Sequence, residues 1–203
     1  MNIKKVLLSK LNKNKLFVLI LNGTSSAGKS CISDILREKI SAINVLSLSI
    51  DDFVNMLPPH LVGETNKASS GFQFYLEGGV LNIKVGNLGN IVIRQMHHFA
   101  ENLLRSGLNV IIDHVVLKKS WAHELEDLRK TGAKIVYVLV TCDIKELKKR
   151  EKIRGNRLVG LASGLKHVES NIEHYDLIVD TTFRSPKESA EMILQYLNFE
   201  GSN

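Results

Sequence analysis

Short apolar runs rich in valine, isoleucine and leucine recur along the chain. They fall at 17–21 (FVLIL), 45–50 (VLSLSI), 109–113 (NVIID), 134–140 (KIVYVLV) and 177–179 (LIV). Their length and β-branched content predict strands, and their nearly continuous hydrophobicity predicts strands covered on both faces. Between them apolar residues return at helical spacing. Ile32, Ile35, Leu36 and Ile40 form one such face; Val92, Met96, Phe99, Ala100 and Leu103 form another that stops at Gly107; Trp121, Leu125 and Leu128 form a third that stops at Gly132. Asp143 with Glu146, and Ser185 with Pro186 and Glu188, carry the residue types of helix N-termini. Alternating strands and helices of these periods predict an α/β fold: a mostly parallel five-stranded sheet in a three-layer sandwich.

The segment 55–90 breaks this rhythm. It holds Pro58, Pro59 and several glycines, and it is too long for a routine connection. Phe72, Phe74, Tyr75 and Leu81 supply apolar content that can pack, so a partly ordered insertion covering a substrate is expected. A plain hairpin closing on Gly78 and Gly79 is the other reading. Residues 1–14 read as a basic lead-in, and the whole of 1–203 as one domain.

Chemistry enters where the first strand run ends. Gly23, Thr24, Ser25, Ser26, Ala27, Gly28, Lys29 and Ser30 spell G-x-x-x-x-G-K-S, followed by Cys31 at the head of the first helical pattern. Strand, glycine loop and helix in this order form a cradle for a nucleoside triphosphate. Backbone N–H groups and the helix N-terminus face the phosphates, Lys29 reaches the β and γ groups, and the Ser30 hydroxyl suits Mg2+. ATP and Mg2+ are the expected cofactors. The guanine-specifying Asn-Lys-x-Asp pattern is not matched, because Asn66-Lys67 precedes Ala68 and Ser69 with no strand before it.

Composition narrows the partners. A net charge of +6 with 24% charged residues suits anionic nucleotides. Aromatic residues interleaved with Arg and Lys, as RNA binding requires, are not seen. No run approaches the length of a membrane span, and the apolar run at 16–21 reads as a core strand rather than a signal peptide. A cytoplasmic protein with neither a nucleic-acid nor a membrane partner is expected, and homo-oligomerisation is left open. Cys31 and Cys142 read as buried apolar fillers, not as a disulfide framework.

Three further groups fit phosphoryl transfer. Asp51 and Asp52 follow the second strand run, where the crevice of a parallel sheet opens. Asp51 is the better placed to take a proton from an attacking hydroxyl; Asp52 reads as a cap for a helix beginning at Phe53, and capping is the competing reading of Asp51. Asp113 ends the NVIID run in the manner of a Walker B strand, so Ser30 and Asp113 are the expected metal-binding pair. Arg150, Arg154 and Arg157 lie in KKREKIRGNR, where arginines on a mobile segment can spread charge over a transferring phosphoryl group; cations at a solvated helix end are the alternative. His97, His98, Lys148 and Lys149 read as surface, and His114 as a core or surface histidine.

LNGTSSAGKS, SIDDFVNMLP, VIIDHV, REKIRGNRLVGL and YDLIVDTT, in this order and spacing, resemble the chloramphenicol phosphotransferase family. The resemblance runs from about Leu16 to the last helix. It implies a P-loop kinase-like fold and Mg2+-dependent transfer of the ATP γ-phosphate to a hydroxyl of a small molecule, with a chloramphenicol-like antibiotic as the leading acceptor. It further implies Asp51 as catalytic aspartate, Lys29 and Ser30 as phosphate and magnesium residues, and Arg150, Arg154 and Arg157 as arginines of a lid over 150–165. A kinase for another acceptor, such as a nucleotide, a sugar nucleotide or a metabolite, and a non-enzymatic nucleotide-binding regulator are the rival readings. The chain departs from the family at His114, where an aspartate is expected, and at Leu165 and Ser170, where a glutamine and a histidine are expected. These departures are expected near the acceptor.

Overall fold

The computed structural model describes residues 16–154 and 160–200. Five strands form one parallel sheet: β1 (Phe17–Asn22), β2 (Val45–Ser49), β6 (Asn109–His114), β7 (Lys134–Thr141) and β8 (Leu177–Asp180). Their order is β2-β6-β1-β7-β8, so β1 is central and the first crossover skips a strand. All five expected strands are present within two residues of their expected limits.

The sheet is covered on both faces by the helices α1 (Lys29–Lys39), α3 (Asn87–Arg105), α4 (Lys119–Glu126), α5 (Ile144–Arg154) and α7 (Pro186–Glu200). Val18 and Ile20 of β1 point to one side, with Val110 and Ile112 of β6, against Ile93, Met96, Ala100 and Leu104 of α3 and Trp121 and Leu125 of α4. Leu19 and Leu21 point to the other, with Ile111, Val136 and Val138, against Ile32 and Leu36 of α1 and Ile193 and Leu197 of α7. Two cores on one sheet require apolar residues at successive strand positions, which is why the runs do not alternate. Each fully buried Leu or Ile contributes about 1.5–3 kcal/mol of transfer free energy.

Ser185 and Glu188 make the full reciprocal cap: Ser185 N donates to Glu188 Oε2 at 2.7 Å, and Glu188 N to Ser185 Oγ at 3.2 Å. At α5 only half of that pattern forms. Lys145 N donates to Asp143 Oδ1 at 2.8 Å, while Glu146 turns forward to accept from Arg150.

The segment 55–90 folds into a second, three-stranded sheet: β3 (Val62–Gly63), β4 (Phe72–Glu77) and β5 (Val80–Val85), with the β4–β5 turn at Gly78–Gly79. The hairpin exists, but it is more than ornament, because its inner residues wall a cavity described below. Lys118 Nζ fastens its base, donating to Val85 O and to Asn90 Oδ1 of α3. The short helix α6 (Leu161–Gly164), which follows α5 in the chain, packs against β5. Among the described residues no helix is long and apolar enough to cross a membrane.

Candidate active site

The phosphate loop hangs between the C-terminal end of β1 and α1. Gly28 adopts φ 99°, a left-handed conformation that glycine takes without cost, and Ser26 adopts φ 62° beside it. Gly23 lies so close to β7 that a Cβ there would sit 2.1 Å from Val140 O. Thr24, Ser25, Ser26, Ala27 and Lys29 are buried, and Gly28 and Ser30 half-buried. Lys29 Nζ donates to the carbonyls of Gly23 and Thr24, both at 2.9 Å, and lies 4.0 Å from Asp113 Oδ1. Ser30 Oγ donates to Asp113 Oδ2 at 2.6 Å. The expected metal pair is thus assembled from residues 83 positions apart, with a lysine cation beside it.

These residues fit a bound nucleotide and its metal. Ser26 Oγ is buried with no hydrogen-bond partner among the described residues, and a phosphate oxygen is the kind of acceptor it lacks. Ser30 and Asp113 offer hard oxygen ligands of the kind Mg2+ takes. A cavity of about 300 Å³ opens over the loop, lined by Ser26, Gly28, Lys29, Ser30, Asp51 and Asp113 on one side and by Arg150, Thr181, Arg184 and Pro186 on the other. Cys31 also lines it and is exposed, which corrects its reading as a buried filler; Cys142 is buried as expected. The side chain of Thr24 turns away from the cavity and donates to Ala162 O at 2.8 Å.

Arg150 is held by the loop after β8. Its Nη1 and Nη2 donate to Thr181 Oγ1 and O at 3.0 and 2.7 Å, and its Nε to Glu146 at 3.1 Å. Thr181 Oγ1 in turn donates to Ala27 O at 2.8 Å, so the guanidinium is tied through one threonine to the phosphate loop. Arg154 closes α5, and Arg157 lies outside the described residues, as do the other residues of 155–159 in the expected lid. Thr181, Arg184 and Pro186 were not expected at the site, Pro186 having been read only as part of a helix N-terminus. The signal was the VDTT run, whose first threonine follows β8 at the C-terminal end of the sheet, the end at which the phosphate loop leaves β1.

Asp51 lies in the first turn of the short helix α2 (Ile50–Val54). The helix begins earlier than expected, and its cap is Ser49, whose Oγ accepts from Asp51 N at 3.2 Å. Neither Asp51 nor Asp52 is the cap, and Asp52 is exposed. Asp51 lines the cavity over the phosphate loop and also a second cavity of about 390 Å³. That second space is walled by Val54, Phe72, Phe74, Ile83, Leu117, Leu161 and Leu165, with Ser25 and Asn55 as its other polar groups.

Two readings of histidines change. His97 is buried rather than on the surface, and His114 is fully buried. Their Nε2 atoms lie 2.9 Å apart, His97 Nδ1 is 2.9 Å from Glu124 Oε2, and the His114 ring packs on Trp121 at 5.7 Å. Burial pushes the pKa of both histidines down. With Glu124 accepting from His97 Nδ1–H, neutral His97 accepts at Nε2 from His114. His114 therefore belongs to the core between sheet, α3 and α4 and does not line the second cavity. Nor does Ser170, which is exposed and donates to His167 O. Of the three departures from the family pattern, Leu165 alone lines that cavity.

No curated protein matches the chain in sequence. Among solved structures it is similar in fold to the APS kinase of Mycobacterium tuberculosis in complex with AMPPNP and APS, at 16% identity, TM-score 0.62, covering 90% of this chain and 98% of that one. A gluconokinase from Sinorhizobium meliloti 1021 aligns at 18% identity, TM-score 0.58, over 92% and 94% of the two chains. A tunicamycin resistance protein of Deinococcus radiodurans aligns at 15%, TM-score 0.60, over 89% and 95%. The model of the family described as chloramphenicol phosphotransferase-like protein matches residues 17–198, and the chain belongs to that family of P-loop kinases acting on small molecules.

Proposed function

We propose that the protein transfers the γ-phosphate of ATP to a hydroxyl of a small, largely apolar molecule, with a chloramphenicol-like antibiotic as the leading acceptor. The observation that carries this reading is the position of Asp51 in the lining of both cavities, the one over the phosphate loop and the one beneath the hairpin. A carboxylate at that junction can hold the acceptor hydroxyl in line and take its proton as the oxygen attacks phosphorus. The acceptor O–P bond forms, the bond from the γ-phosphorus to the bridging oxygen breaks, the proton passes to Asp51, and ADP leaves.

Lys29 places a cation against the β and γ phosphates once it releases its own loop carbonyls, and Arg150 faces the same cavity from the loop after β8. Arg154 and Arg157 join it on the strength of the family resemblance. Bound Mg2+, held by Ser30 and Asp113, supplies charge neutralisation of the phosphate oxygens.

The acceptor side supports an uncharged substrate. Among the described residues its cavity is lined by apolar side chains, one serine, one asparagine and Asp51, with no lysine or arginine. A phosphorylated or carboxylated acceptor would find no lysine or arginine among the described lining residues to pair with its charge. The volume lies within the range of small-molecule pockets.

The test combines one variant and one panel. Asp51→Asn should lower phosphotransfer by about 10³-fold while leaving ATP affinity within about twofold, since general-base groups contribute on that order. Unchanged turnover in the variant refutes the role of Asp51. Mass spectrometry of hydroxyl compounds incubated with protein, ATP and Mg2+, chloramphenicol included, should reveal an acceptor gaining about 80 Da, one phosphoryl group. Nucleotide binding with no product from any compound would favour a regulator.

A further inference from the structure

One short helix, α6, lies between the phosphate loop and the second cavity. Its Ala162 carbonyl accepts the Thr24 hydroxyl of the phosphate loop at 2.8 Å. Its Leu161, with Leu165 just after it, lines the acceptor-side cavity. Its Gly164 packs so closely on β5 that a Cβ there would lie 1.8 Å from Leu81 O. Leu81, Leu161, Leu165 and Val168 form a separate small core, with Phe74 and Ile83 of the hairpin packed against it. One turn of helix thus touches the nucleotide loop, the acceptor cavity and the hairpin above it.

A single helical turn cannot hold its own position, because its first N–H groups have no partners within it. The partner here is Glu151 of α5, a carboxylate 1% exposed. Ala162 N donates to its Oε1 at 2.6 Å and Gly160 N to its Oε2 at 3.1 Å. Burying a carboxylate costs several kcal/mol unless hydrogen bonds compensate, so the geometry it imposes on those two amides is tightly defined.

We propose that Glu151 is a positioning residue: by fixing α6 it makes the phosphate loop and the β4–β5 hairpin one mechanical unit, so that nucleotide binding at the loop orders the wall of the acceptor cavity. This rests on nucleotide binding at the loop but not on the identity of the acceptor or on the role of Asp51. The path runs from Thr24 through Ala162 O to α6 and from Gly164 to Leu81 of β5. Coupling between two sites of a protein is commonly 5–150-fold.

Hydrogen–deuterium exchange with and without Mg-AMPPNP tests it. In the native protein AMPPNP should slow exchange in the phosphate loop, in 160–165 and in the hairpin 72–85, the last by about 10-fold. In Glu151→Gln, which presents an NH₂ group to one of the two amides, loop protection should persist while hairpin protection falls below about twofold. Leu81→Ala loosens the same path at its hairpin end without touching the phosphate loop or the Glu151 bonds and should give the same pattern, which keeps the test decisive if Glu151→Gln does not fold. Hairpin protection by AMPPNP retained in Leu81→Ala, or absent from the native protein despite AMPPNP binding, overturns the coupling alone. Failure of AMPPNP to bind overturns the nucleotide reading and the coupling together.

Discussion

Ser30 Oγ donates to Asp113 Oδ2 across 2.6 Å, joining the second residue of α1 to the penultimate residue of β6, the strand that neighbours β1 in the sheet. The register Leu21↔Asp113 sets this meeting: it carries the carboxylate to the level at which the loop leaves β1. Removing the charge while keeping the shape, in Asp113→Asn, should raise the Mg2+ concentration needed for half-maximal phosphotransfer by about 10-fold or more, as loss of a groups supporting metal affinity does. A Mg2+ titration of activity at saturating ATP checks this, and an unchanged midpoint would remove Asp113 from the metal site.

Gly23 faces Val140 O at a distance no side chain tolerates. Gly23→Ala must therefore displace either the loop or β7, at a cost on the order of 3 kcal/mol in unfolding free energy. Urea unfolding followed by circular dichroism should show the lowered midpoint, and added Mg-ATP should restore little of it, because the displaced loop is the binding element.

Asn22, the last residue of β1, is fully buried and makes three hydrogen bonds: Nδ2 donates to Val168 O and Tyr175 Oη at 3.0 and 2.7 Å, and Oδ1 accepts from Val116 N at 2.9 Å. It joins β1 to the loops after β6 and before β8. Asn22→Ala leaves Val116 N without its acceptor, removes a donor from the half-buried Tyr175 hydroxyl and leaves Val168 O with Asn171 N alone, and should cost on the order of 3 kcal/mol. Asn22→Asp keeps the bond to Val116 N but replaces both donated bonds with a charge, and should be no more stable. Thermal unfolding of the two variants ranks them, and an Ala variant as stable as the native protein would show that water repairs the site.

His97 should make stability fall on the acid side of neutrality. Burial lowers its pKa in the folded protein, against the raising effect of Glu124 and with a smaller lowering from His98 and Arg94. The unfolded chain, with a histidine near its ordinary value of 6.5, then binds more protons than the folded one as the pH falls, so protonation favours unfolding. The stabilisation is complete above about pH 6.5 and declines as pH drops toward the folded pKa below it. Denaturant unfolding at pH 7.5 and pH 5.5, in the native protein and in His97→Gln, measures this. The variant should show the shallower dependence. Trp121, the one tryptophan, packs on His114 and reports the transition by fluorescence.

The elements themselves were legible in the sequence because each is decided locally. FVLIL has no polar position to expose and becomes a central strand; Ser185 and Glu188 are three residues apart and satisfy each other's N–H groups without help from elsewhere. The phosphate loop was legible for the same reason, since its glycines and lysine act on a ligand through neighbouring backbone. Ser49, two residues from Asp51, took the capping role that Asp51 and Asp52 were each offered, because the strand leads straight into the helix, which begins at Ile50, three residues before Phe53.

Local sequence thus set the order of strands and helices and the glycine loop between β1 and α1. Which distant groups meet depends on how the elements pack. Parallel strands joined by crossovers bring Ser30 to Asp113, Arg150 to Thr181, Thr24 to Ala162 and His97 to His114, pairs separated by 83, 31, 138 and 17 positions. No periodicity marks such pairs, because the backbone geometry that generates periodicity reaches only three or four residues along a helix and two along a strand. The phosphate loop is built from neighbouring residues. The second cavity is walled by a hairpin, a short helix and a strand end that come together only when the sheet forms.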